Sequence, residues 1–498
     1  MTPPGRIAAV IDVGSNSVRL LVGRELSPVA FEVIDEERFD ARLGEGQQGG
    51  VLSHAGIERG LAAMRSVSQV ASSFGPAHIT AAGTEALRRA PNAGDFIAEV
   101  RAQTGLSIRI LSAEEEAFAS FLGTVNSTTL CDGAIVDIGG GSLELIRVRE
   151  RRLAAATSAP LGAIYASERY FAHDPPTQKE VRALRKAVRQ ELVVRDPEPA
   201  LYGVGGAVRN LARIVRLRRR YPLRRLHGLA ITRGELRRLV RDLLAVPSEE
   251  RRRIPGVSAN RADILPAAAV VIEEVMSLVG ASALHVSGQG LREGLVWQQL
   301  RGEGAILPHV RAASITGLAR ANGIDELVAE PVVAIAARLF EATQDLHGLV
   351  PADLELLLDA ARLAGIGMHV DYYNRDRHAE YLVHSGDLHG FTHREIVLLG
   401  ALVRWATAGT PDLSPYRAIV QPDDGARASI LAALLGLARA VRRRTPSPVH
   451  DVEAFVADSV LHLVLRGPGP FDAELAALER QQRRFESVLK ASLVVAVV

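Results

Sequence analysis

The sequence predicts an α/β protein with a duplicated core, followed by an all-α domain and a small α/β C-terminal domain. Three observations carry that expectation. A strand, glycine turn, strand pattern occurs twice, once around Asp12 and once around Asp137, 125 residues apart. Between and after these hairpins, short apolar strands alternate with helical periodicity, as in layered α/β folds. From Val310 to about Val441 the pattern is helical throughout, and alternation returns only at Leu461–Leu465.

In chain order, Ile7–Val13 reads as a buried strand, Gly14-Ser15-Asn16-Ser17 as a tight turn and Val18–Val22 as the returning strand. Ile57–Phe74 follows as a helix, His78–Ala82 as a strand, and Gly94–Thr104 as a helix closed by Gly105. Ser112 and Glu115 have capping-box spacing and open a helix through Leu122 that carries Glu114, Glu115 and Glu116 in its first turn. The second hairpin is Gly133–Ile138, the turn Gly139-Gly140-Gly141-Ser142, and Leu143–Val148. Leu201–Gly206 runs into a glycine turn and a helix Val208–Val215, and His285–Gly290 gives one more glycine loop. After Pro446 and Pro448, the tail reads as the strand Leu461–Leu465, a helix Ala473–Val488 and a strand Ser492–Val498. The expected domains are 1–127, 128–303, 304–445 and 446–498, with the central boundary in the glycine- and proline-broken stretch 301–308.

A chain of 498 residues has the length of about three or four domains of roughly 150 residues and leaves room for clefts between cores. Its formal charge of +2 gives no support to a nucleic-acid coat or a membrane-binding surface. Only three of the 59 basic residues are lysines; guanidinium groups suit phosphate, but base composition accounts for such an excess and it indicates no function on its own. No apolar stretch is long enough for a membrane helix, and Asp12 breaks the N-terminal apolar run, so neither a span nor a signal peptide is expected. The single cysteine, Cys131, allows no internal disulfide and fits a reducing cytoplasm. Aromatics make up 4% of the chain, too few for a base-stacking platform.

Glycine turns leaving buried strands gather backbone N–H groups in one concavity, which suits phosphate. Each turn here follows an aspartate, Asp12 or Asp137, where hydrated Mg²⁺ could bridge to phosphate oxygens.

Five motifs now stand in order: Asp12–Leu20, Gly83–Asn92, Ser112–Ala117, Asp137–Glu144 and Ser287–Gly294. Together they resemble the signatures of the exopolyphosphatase and guanosine pentaphosphate phosphatase family, across about residues 6 to 300 and more weakly beyond. The resemblance implies a duplicated actin-like (ribonuclease H-like) ATPase core. It implies that Gly14, Ser15, Asn16 and Ser17, with Gly139, Gly140, Gly141 and Ser142, hold terminal phosphates, and that Arg88 clamps them. It makes Glu116 the catalytic base, with Glu115 as the fallback, and gives Asp137, Glu144 and Asp12 to Mg²⁺, Glu144 also orienting water. Gly205 and Gly206 match a third loop, with Ala207 where the family more often has threonine. The implied reaction is removal of terminal phosphate from inorganic polyphosphate, or from guanosine pentaphosphate, with Mg²⁺ and optional help from a monovalent cation, in a cytoplasmic homodimer. A kinase on the same fold would need an acceptor pocket with its own base, and a non-catalytic sensor has no use for Glu116, Asp137 and Glu144.

The helical region holds His369, His378, His384, His389 and His393 and resembles the HD-like domain of long family members. Ala364-Gly365 stands where a metal-binding version has its His-Asp pair, so no second metal site is expected. Arginines cluster between Arg213 and Arg253, as a solvated face or as a guide for a polyanion.

Overall fold

The computed structural model describes residues 5–45, 50–194, 196–302 and 306–498. Two compact units divide the chain, 1–310 and 311–498. The boundary expected at 303/304 lies outside the described residues.

The N-terminal unit is built on two sheets. The first contains β1 (Ile7–Val13), β2 (Val18–Ser27), β3 (Ala30–Phe39), β4 (Ile79–Gly83) and β5 (Ile108–Ile110), in the order β3-β2-β1-β4-β5. The second contains β6 (Gly133–Ile138), β7 (Leu143–Arg149), β8 (Arg152–Ala159), β9 (Leu201–Val204), β10 (Ala230–Thr232) and β11 (Ala283–Val286), in the order β10-β11-β9-β6-β7-β8. The duplication is literal. β1 and β6 each lie between an antiparallel hairpin partner and a parallel strand, β2 and β4 in one case and β7 and β9 in the other.

β1 is apolar without alternation because both of its faces are covered. Ala9, Ile11 and Val13 face a core with Met64, Val67 and Phe96, while Ala8 and Val10 face Ala119, Leu295 and Val296. Each such buried Ile, Val, Leu, Met or Phe side chain contributes ~1.5–3 kcal/mol. The helices Ala113–Val125 and Leu291–Arg301 cross closely because a Cβ on Gly294 would lie 1.9 Å from the Ala119 carbonyl, and one on Gly123 2.1 Å from that of Gly290.

Strands β3 and β8 carry no clear sequence signal. β3 is an edge strand with charged residues along it, and β8 is exposed at most positions, so neither shows a buried periodic face.

In the C-terminal unit, helices including Glu326–Ala342, Pro351–Arg362, His393–Trp405 and Asp424–Val441 form a bundle. A three-stranded sheet follows, β12 (Asp451–Ala457), β13 (Val460–Arg466) and β14 (Ser492–Val497), with the helix Asp472–Leu489 before its last strand. The sequence reading lacked β12, whose side chains are largely exposed. Among the described residues no helix is long and apolar enough to cross a membrane.

Candidate active site

The two glycine turns have the same closure: Gly14 N–H donates to the Ser17 carbonyl at 3.1 Å, and Gly139 N–H to that of Ser142 at 3.0 Å. They meet tip to tip, since a Cβ on Gly140 would lie 2.8 Å from Ser15 Cβ and 3.3 Å from the Asn16 nitrogen. Both line a cavity of about 110 Å³ with Gly205 and Gly206 of the third loop. Gly205 has φ +102°, a value that favours glycine. Asn16 Nδ2 is buried without a hydrogen-bond partner, a donor left for something bound in the cavity.

Asp12, Glu116, Asp137 and Glu144 project into the same space. The hairpin registers bring the acids up: Asp12 stands opposite Arg19, and Asp137 opposite Glu144. Equivalent cross-strand positions therefore carry a guanidinium in the first copy and a carboxylate in the second. Asp137 accepts a short hydrogen bond from Ser120 Oγ, and Glu144 accepts one from Ser158 Oγ at 3.0 Å. Burial raises the carboxyls of Asp12, Asp137 and Glu144 above the usual range, and for Glu144 the neighbouring Glu116 and Asp137 add to it.

Glu116 lies in the first turn of the helix Ala113–Val125 and is 8% exposed. Burial pushes its carboxyl up to about 7, against the pull of Arg88. Arg88 Nη1 donates to Glu116 Oε2 at 3.0 Å and to the Leu111 carbonyl at 2.8 Å. Arg88 thus sits behind the glutamate, outside the residues that line the cavity. Glu115 points elsewhere: it accepts from the Ser112 N–H in the capping box and pairs with Arg109 on the surface. The N3 side chain of a capping box folds back over the helix end, and Glu115 lies outside the residues that line the cavity.

Several lining residues had no role in the sequence reading: Arg19, Glu85, Arg209, Arg261, Arg292 and Glu293. Arg19 was findable, because its spacing from Asp12 equals that of Glu144 from Asp137. Arg261 lies flat against Gly206, where a Cβ would meet its Nη2 at 2.4 Å. Arg292 pairs with Glu36 at 2.7 Å, and Glu293 caps its own helix by accepting from Gly290 N–H at 2.8 Å. Burial and the neighbouring Arg209 and Arg292 bring Arg19 down to about 9, so these guanidinium groups crowd a space that an anion would relieve.

Part of the arginine run from Arg213 to Arg253 is tied up within the protein. Arg218 pairs with Asp242 and Arg219 with Glu235, while buried Arg251 bonds to the Leu243 and Ala262 carbonyls and to Asp174. These three are structural rather than a free polyanion track.

In the helical unit, Ala364 and Gly365 offer no ligand side chain, and His384 packs on the Tyr416 ring with its Nδ1 3.2 Å from the phenol oxygen. Among the described residues no group of three or more His, Cys, Asp or Glu side chains is arranged as a ready metal cage.

Two hairpin loops facing each other, with carboxylates at the strand ends and guanidinium groups around them, define a phosphatase on a duplicated actin-like core. Residues 22–303 match the Ppx/GppA phosphatase family and residues 310–476 match domain III of Ppx/GppA phosphatases. The chain belongs to the Ppx/GppA phosphatase family. It is similar to the Aquifex aeolicus Ppx/GppA family member, at 29% identity over 60% of this chain and 99% of that one, with a TM-score of 0.53. An exopolyphosphatase from Cytophaga hutchinsonii shares the fold at 24% identity, over 60% of this chain and 99% of that one, with a TM-score of 0.57.

Proposed function

We propose that the protein is an exopolyphosphatase, which hydrolyses the terminal phosphoanhydride bond of inorganic polyphosphate and releases orthophosphate. The observation that carries this reading is Glu116, a buried carboxyl held near neutrality at the wall of a cavity framed by two phosphate-type turns. At about 110 Å³ the cavity has the size for terminal phosphates rather than for a whole nucleoside.

In this mechanism the N–H groups of Gly14–Ser17 and Gly139–Ser142 hold the terminal phosphoryl oxygens, and Arg19, Arg209 and Arg261 neutralise their charge. Glu116 takes a proton from a water as its oxygen bonds to the terminal phosphorus. The bridging P–O bond breaks, and the shortened chain leaves with the electron pair. Arg88 keeps Glu116 aimed and ionisable. Six carboxylates and four guanidinium groups line the cavity, a donor set that fits a hard cation needing only one or two protein carboxylates beside phosphate and water. Asp12, Asp137 and Glu144 would hold Mg²⁺, which when bound supplies Lewis-acid neutralisation of the phosphates.

The test is orthophosphate release from purified inorganic polyphosphate beside guanosine pentaphosphate at equal terminal-phosphate concentration. Faster release from polyphosphate supports the reading, and turnover confined to guanosine pentaphosphate overturns it in favour of the 5′-phosphohydrolase alternative.

A further inference from the structure

A second cavity, about 550 Å³, opens wholly within the C-terminal unit beside the helices Glu326–Ala342, Asp424–Val441 and Asp472–Leu489. Its size falls within the roughly 300–1,000 Å³ of small-molecule sites. Its wall is cationic to an unusual degree: Arg375, Arg439, Arg442, Arg443, Arg444 and Arg480 all line it. Among the described residues the one carboxylate on the lining is Asp325. That group caps its own helix, accepting from the Leu327 N–H at 2.9 Å.

Internal partners compensate this charge only in part. Arg444 pairs with Glu474 at 2.9 Å, and Arg442 donates to the Val449 carbonyl at 2.8 Å. Arg439, however, has its nearest paired carboxylate, Asp376, at 4.0 Å, the outer limit of an ion pair. Arg443 and Arg480 stand exposed at the rim. Guanidinium groups gathered around a concave space repel one another, and an anion with several oxygens removes that repulsion while taking up their forked donors.

The opposite wall has a different character. Ile324, Leu327, Val328 and Val332 line it, and Leu327 is 84% exposed and Val328 49% exposed. An inorganic phosphate chain makes no use of an apolar wall; a phosphate chain attached to an organic group does. Ala361, Ala364 and Gly436 leave room on the remaining lining and bring no nucleophile or base.

We propose that this cavity is a binding site for a nucleoside polyphosphate, with its phosphates on Arg439, Arg443 and Arg480 and its organic part against Ile324, Val328 and Val332. The ligand is held and not hydrolysed, because the described lining supplies no carboxylate free to act as a base. The site belongs to a different unit from the catalytic cavity and does not depend on which phosphoanhydride that cavity cleaves.

The experiment is photo-crosslinking of the full chain with 8-azido-ATP in the presence of chelator, followed by peptide mapping and competition by ATP or inorganic tripolyphosphate. The expected label falls on peptides containing 324–332, 439–445 or 477–481 and is displaced by ATP. The double variant Arg443→Ser/Arg480→Ser should weaken labelling there about tenfold or more, since each loss removes a charge-assisted contact. Both residues are exposed, and an unchanged circular dichroism spectrum and thermal unfolding profile of the same variant report that it is folded. Label found only on peptides of the N-terminal unit overturns the site. Competition by tripolyphosphate as strong as that by ATP overturns the organic part of the ligand, and undiminished labelling in the folded double variant overturns the arginine assignment.

Discussion

Arg88 Nη1 lies 3.0 Å from Glu116 Oε2, and this pair fixes the protonation of the group assigned as catalytic base. Burial holds Glu116 up at about 7 and Arg88 pulls it down, so the charge on Arg88 sets where the base becomes active. A base works ionised, so kcat/KM should rise with pH through about 7 and level off above. Replacing Arg88 with Met removes the downward pull, and the acid limb of the profile should move to higher pH. An unmoved limb with only a lower plateau would assign Arg88 to the phosphate instead.

Glu116→Gln should keep substrate binding and lose ~10²–10⁴ in turnover, because the amide retains the shape but accepts no proton. Glu115→Gln should leave turnover intact, its effect confined to the capping box and the Arg109 pair, at a cost of about 1 kcal/mol or less in thermal stability. Rapid phosphate release by Glu116→Gln would reject the base assignment.

Ionisation of Glu116 also opposes folding. A carboxyl raised above its unfolded value contributes stability that is complete below that value and is lost as pH rises through about 7. Glu116→Gln should therefore gain in denaturant midpoint over the parent between about pH 5 and pH 8, the range in which that ionisation proceeds. A constant difference across this range would show that the raised value is not a property of the folded state.

Gly206→Ala places a methyl 2.4 Å from Arg261 Nη2. The guanidinium is the far end of a flexible side chain, so the fold should persist while Arg261 swings from the cavity. The expected result is a KM raised about tenfold with a normal melting temperature, as for loss of a charge-assisted contact. Normal kinetics would remove Arg261 from the phosphate site.

Metal dependence is tested by chelation. Hydrolysis should stop with chelator and return with added Mg²⁺, and Ser120→Ala, which takes a hydrogen bond from Asp137, should raise the Mg²⁺ concentration needed for half-maximal rate. Full activity in excess chelator would rule out the assigned role of Asp12, Asp137 and Glu144.

Whatever is encoded over a few neighbouring residues was legible in the sequence. The two Asp–Gly–Ser turns, the Ser112 capping box and the Gly105 helix end are short-range signals, and each is formed as read. The preference for Glu116 over Glu115 came from the resemblance, which sets the base directly before Ala117, and not from the helix start itself. Tertiary structure alone decided the rest. Edge strands β3 and β8 bury too little to leave a periodic pattern, and their places come from hairpin pairing with β2 and β7. Arg261 is a single residue among 56 arginines, with no motif around it to mark it, and Arg209 and Arg292, though beside or within glycine motifs, carried no role of their own. They become part of one site only because the helix Gly206–Arg218, the turn Ala259–Arg261 and the crossing helix Leu291–Arg301 carry them to the two turns. Convergence of charges from such distant stretches is a property of packing, and no sequence window spans it.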